Sequence, residues 1–183
     1  MAEPLSTHVL RTTVSAFREL KTLGEKAMAQ LKDDEFFTTI DPESNSVALI
    51  VKHIAGNMVS RWTDFLTADG EKPGRRRDEE FEARSTDSRQ TLMAAWEAGW
   101  AALFDALASL RAEDVLRDVR IRREPHTVMQ AVHRQMTHYA YHVGQIVFLA
   151  RHFAGPRWTS LSIPKGQSKE FEVSRTGEPY RPA

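Results

Sequence analysis

The 183-residue chain contains no cysteine. That absence excludes disulfides, thiolate metal ligands and a cysteine nucleophile together. Thiol chemistry would require the thiol to arrive on a small molecule, and a transition metal would require histidine or carboxylate ligands. An excess of one charge is missing too. The 25 basic residues balance 25 acidic ones, so no overall field favours nucleic acid or an anionic membrane as a partner. No apolar run approaches the ~20 residues of a membrane span. The first residues, MAEPLSTHVL, lack the basic and apolar regions of a signal peptide, and a cytoplasmic location is the default expectation. There is no internal repeat and no low-complexity tract.

What is present reads as one globular domain over residues 1–183, with 41% hydrophobic and 27% charged residues. Four segments carry helical periodicity. The first runs from about Leu5 to Phe37, with Ser6 as a possible cap. DPESNS follows, where Ser44 or Asn45 could cap a second helix from about Ser46 to Ala68. Residues 68–85, ADGEKPGRRRDEEFEARS, read as a long charged loop, a kind of segment that is often functional. A third helix is predicted from about Thr86 to Leu110 and a fourth from about Thr127 to Phe153, stopped by Gly155 and Pro156. RIRREPH, Arg120 to His126, reads as a linker; VRIRR is the best strand candidate and is short. The tail, about 157–183, is expected to wrap the bundle, with a short helical turn after SIPKG. The fold class that follows is all-α, a four-helix bundle.

Seven histidines occur. His138 and His142, in HYAYHVGQ, lie one helical turn apart, a spacing that is weak evidence alone. Phase sharpens it. At ~100° per residue, both fall roughly 80–120° to one side of the apolar stripe of the fourth helix, and Gln145 shares that flank. His53 falls about 120° to the same side of the second helix, with Asn57 on its flank and Arg61 nearer the stripe. If those borders face each other, three imidazoles converge. Neutral imidazole is the commonest metal ligand, and three protein ligands leave an open position of the catalytic kind. The alternative is three ordinary helix-border histidines satisfied by hydrogen bonds or solvent.

Other marked residues also have two readings. Asn57 and Gln145 either hydrogen-bond a ligand or a metal histidine, or are solvated. Trp62 and Phe65 are expected in the core, and Arg61 either orients a substrate or pairs with Asp64. GRRRDEEFE is expected to be a solvated loop, with an anion site as the sharper alternative. Close helix approach is the expectation at Gly144. Lys165 either reaches the pocket mouth or belongs to a packed tail. SIPKGQSK lacks phosphate-loop spacing, and no HEXXH pattern supports a metallopeptidase.

The blocks VKHIAGNMVSRWTDFLTADGEKP, RRDEEF, HYAYHVGQIVFLARH and LSIPKGQS, in that order, resemble the DinB-like or YfiT-like superfamily of four-helix bundles, and are most similar to a branch of unknown function. Gly74 departs from the pattern, where an aromatic residue is expected after GEKP. The resemblance implies a metal triad of His53, His138 and His142 holding one divalent ion, zinc or nickel, and dimers formed through the bundle helices. Relatives implied by it include S-transferases that use low-molecular-weight thiols and a mycothiol-dependent maleylpyruvate isomerase. The functional expectation is a metal-dependent enzyme that activates water or a small-molecule thiol, of transferase or hydrolase type. The alternative is a non-catalytic, metal-binding stress-response dimer.

Overall fold

The computed structural model describes residues 3–167. These form the helices α1 (Leu5–Met28), α2 (Asp33–Phe37), α3 (Val47–Trp62), α4 (Arg89–Ser109) and α5 (Val128–Ala154), with a ribbon of β1 (Asp118–Ile121) and β2 (Glu124–Thr127) between α4 and α5. The chain is thus mostly helical. No helix among the described residues is long and apolar enough to cross a membrane.

The central element is α3. Its apolar residues occupy nearly every side, with Val47, Val51, Ile54, Met58 and Trp62 all buried, as a helix covered on several faces requires. It packs along α4 and meets α5, while α1 lies along α5. Gly99 sets the α3–α4 distance: a Cβ there would stand 3.1 Å from Met58 Cβ and 3.3 Å from the Ala55 backbone. Phe17, Trp62, Trp96, Trp100 and Tyr139 fill the common core, with Phe17 edge-on to Trp62 at 6.1 Å between centroids.

Several expectations are corrected. The first helical segment is broken after Met28. Arg89, at the start of α4, donates to the carbonyls of Met28 (2.7 Å) and Leu31 (2.8 Å) and so satisfies chain that has left the helix. Phe36 of α2 then turns into the core. Pro4, not Ser6, precedes α1. Ser46, rather than Ser44 or Asn45, caps α3, its Oγ accepting from the Leu49 N–H at 3.3 Å. α3 stops at Trp62, six residues before the expected end at Ala68, and the chain turns through Asp64 at φ 50 so that Phe65 folds back on Trp62. Trp62 and Phe65 are core residues. Gly144 is not a close approach, since a Cβ there would meet nothing within 4 Å.

The fold is mostly helical, as expected, with a small two-stranded ribbon added to the helices. Asp118–Thr127 pairs antiparallel through a two-residue turn at Arg122 and Arg123, both at positive φ (55 and 67). Such a turn ordinarily calls for Asn or Gly. Here it is held from outside. The Asp69 carboxylate accepts the backbone N–H groups of Arg122 (2.8 Å) and Arg123 (2.6 Å), and Gly70 N–H donates to Arg120 O at 2.8 Å. The long loop and the expected linker are therefore one unit.

After α5, Trp158 and Leu161 pack against the core. Thr159 and Gln30 exchange two hydrogen bonds, of 2.7 and 3.1 Å. Lys165 is exposed. The remainder of the expected wrapping tail, with the turn after SIPKG, lies outside the described residues.

Candidate metal centre and its cavity

α3 and α5 run antiparallel past each other, so His53 meets His138 and His142 while Asn57 meets Gln135 one turn along. The Nε2 atom of His138 stands 3.3 Å from His53 Nε2 and 3.1 Å from His142 Nε2. His53 is buried and the other two are half-buried. The remaining histidines lie outside this group; His133, for example, is exposed.

The outer nitrogens set the tautomers. His53 donates its Nδ1–H to Glu80 Oε2 at 2.8 Å, which leaves the Nε2 lone pair facing the group. Glu80 is gripped from its other side by a two-pronged Arg75 guanidinium, with both contacts at 2.8 Å. Burial works to raise the Glu80 carboxyl pKa, but Arg75 and His53 outweigh it and hold it below the ordinary range. Gly56 makes room for that carboxylate, since a Cβ there would stand 2.5 Å from Glu80 Oε1. Phe81 stacks on the His53 ring at 4.5 Å between centroids. His142 donates Nδ1–H to Gln145 Oε1 at 2.7 Å, and Gln145 Nε2 in turn donates to Tyr141 Oη at 3.1 Å.

His138 has no such partner, and its Nδ1 is a buried atom without a hydrogen bond. Burial, reinforced by the neighbouring His142 and His53, pushes His138 down to about 3. Burial also lowers His142, opposed by Gln145 and reinforced by His53. Neutral rings with inward lone pairs are the form in which imidazole ligates a metal. As hydrogen-bonding partners the three inward nitrogens are badly matched: His53 and His142 both offer lone pairs, and one His138 N–H can satisfy only one of them. A shared cation would satisfy all three.

Arg61 does not pair with Asp64. It binds Gly70 O and, at 2.9 Å, Glu71. Burial lowers its pKa, and Glu71 opposes the shift. Asn57 forms no hydrogen bond with a histidine; it accepts from Gln135 Nε2 (2.6 Å) and Tyr139 Oη (3.0 Å). Burial holds the Tyr139 phenol above its ordinary range despite donors from Gln135 and Trp62. Asn57 and Arg61 line a cavity of about 330 Å³ beside His53 and His138. Lys165 does not line it. Sequence reasoning missed Glu80 and Arg75, which lie in the run read as a solvated loop. Nothing in their spacing signalled burial, because they sit on a 3-10 turn (Asp78–Phe81) and the irregular, turn-rich chain before it.

No curated protein and no solved structure matches this chain. A family model described as a protein of unknown function, DUF1572, matches residues 4–167, and the chain belongs to that family.

Proposed function

We propose that His53, His138 and His142 hold one divalent ion, zinc or nickel, and that the protein is a metal-dependent enzyme of transferase or hydrolase type. The observation that carries the reading is the convergence of three Nε2 atoms. Two ligands on a tetrahedral ion at 2.0–2.1 Å are separated by about 3.3 Å, and the spacings here are 3.1 and 3.3 Å. An ion held there would supply an open position acting as a Lewis acid toward water or a low-molecular-weight thiol. The chain's own residues do the rest. Glu80 and Gln145 fix two ring orientations, Arg75 fixes Glu80, and Phe81 shields His53 from solvent.

The packing of α1, α3, α4 and α5 supports reading the fold as a four-helix bundle of the DinB-like or YfiT-like kind, with a ribbon and a structured loop added. We also propose that two copies pair through the outward face of α5. Tyr141 and Phe148 are 64% and 65% exposed there, and with Gly144 between them they line a shallow surface hollow that a second copy could fill.

Elemental analysis after purification without chelators tests the metal. One equivalent in the wild type and a trace in His138→Ala is the expected result, and equal content in the two would refute the triad. The metal-loaded protein, screened with thiols and electrophiles, should then give metal-dependent product. Tight metal binding with persistent inactivity would favour a non-catalytic metal-binding role instead.

A further inference from the structure

The groove beside the histidines has charged walls of one sign. Its cationic lining is Arg61, Arg75, Arg77, Arg122 and Arg134, and no aspartate or glutamate lines it. Two carboxylates stand behind the wall: Glu80 on Arg75, and Glu71 on Arg61, Arg75 and Arg122. Five guanidiniums against two carboxylates leave a formal excess of three. Arg77 lies over the Phe81 ring, and its one carboxylate neighbour among the described residues, Asp78, is 3.9 Å away and almost fully exposed. Arg134 forms no salt bridge among the described residues. Arg61, its side chain 5% exposed, has an Nε donor with no acceptor. Like charges held in a concave, partly buried site repel one another, and an entering anion relieves that repulsion. A neutral ligand would leave it in place.

We propose that this cavity binds an oxyanion, a carboxylate or phosphate group on the small molecule that reacts at the histidines; the proposal rests on the reading of those histidines as the reactive site. Guanidinium groups match both oxyanions with two parallel hydrogen bonds. Arg134, His138 and His142 follow one another at single-turn intervals on α5, and His53, Asn57 and Arg61 do so on α3. At about 5.4 Å per turn, the arginines lie one to two turns from the histidines. The substrate is therefore a compact molecule with its anion at one end and its reacting group about 5–10 Å away.

Arg77 and Arg134 are exposed and outside the core, so an Arg77→Gln/Arg134→Gln double variant should fold. Calorimetry of the zinc-loaded full chain would use inorganic phosphate and succinate as probes, with dimethyl succinate as the neutral control. The wild type should bind at least one anion and not the control. The double variant should bind it at least tenfold more weakly with unchanged zinc content. Tighter phosphate or tighter succinate identifies the source of the oxyanion. If the wild type holds zinc but binds neither anion, or the double variant binds equally well, the oxyanion inference is overturned and the metal reading stands. If the wild type holds no zinc yet shows arginine-dependent anion binding, the metal reading fails and the anion cavity stands.

Discussion

Gly56 faces Glu80 across a space that no other side chain would leave open. In Gly56→Ala the new methyl would displace the Glu80 carboxylate from beside His53. Losing the partner that orients a metal histidine typically costs 10–100-fold in affinity, and about tenfold weaker zinc binding is expected. Helix propensity works the other way, favouring alanine by about 1 kcal/mol. Zinc competition titration beside a thermal melt separates the two effects; unchanged affinity would show that Glu80 does not orient His53. A second residue is strained rather than crowded. Arg123 sits at φ 67 on the ribbon turn, where a Cβ costs about 1–2 kcal/mol. Arg123→Gly should raise the melting temperature, with a gain of roughly 1 kcal/mol by denaturant unfolding. An unchanged or lower midpoint would mean that Asp69 already offsets the strain. At this scale the phase of His53, His138 and His142 could be read directly, because helical periodicity places side chains by angle. Glu80 could not, because a short 3-10 turn in an irregular loop has no period to read.

Among the elements, the turn that carries Glu80 is clipped to α3 by Lys52. Its ammonium donates to Glu82 O and to Asp87 Oδ2, both at 2.8 Å. Burial raises the Asp87 carboxyl pKa, but the bonds from Lys52 and the Arg84 N–H outweigh it and hold the group below its ordinary 3.8. A depressed carboxyl stabilises the fold fully above its unfolded pKa and loses that contribution as pH falls through the lowered, folded one. Asp87→Asn should therefore melt earlier than wild type at neutral pH, and the difference should close in acid below the carboxylate range. A difference that persists undiminished there would assign the effect to packing instead of charge. Helix existence followed from the apolar stripes, but helix ends did not. Met28 ends its helix because Arg89, 61 residues later, takes the freed carbonyl, and Trp62 ends its own because the chain turns through Asp64 and Phe65 folds back on it, a local contact that the apolar stripe does not announce. The ribbon was legible only in part: VRIRR, the best strand candidate, overlaps β1, but β2 lay mostly in the expected linker and the Arg122–Arg123 turn depends on Asp69, some fifty residues earlier.

For the whole molecule, the exposed aromatic face of α5 joins the proposed pairing to the proposed metal centre. Tyr141 is exposed, yet its hydroxyl accepts from the Gln145 that orients His142. Phe148→Asp should convert a two-copy assembly to a single copy by light scattering, with zinc content retained because Phe148 contacts no ligand. A wild type that is already monomeric at micromolar concentration would reject the pairing. The same variant should bind succinate or phosphate as the wild type does, since the arginine cavity lies along the α3–α5 groove.

Composition and periodicity alone determined that this chain is mostly helical, that its long helices carry apolar stripes, and that any metal must be met by histidine or carboxylate. Those properties are local, or are averages over the chain, and so survive without knowledge of the fold. Tertiary structure decided the rest: that the histidine borders of α3 and α5 face one another, that a charged run sends Glu80 and Arg75 inward, and that five arginines gather along one wall. Each of these depends on segments tens of residues apart meeting in space, and no spacing along the chain encodes that meeting.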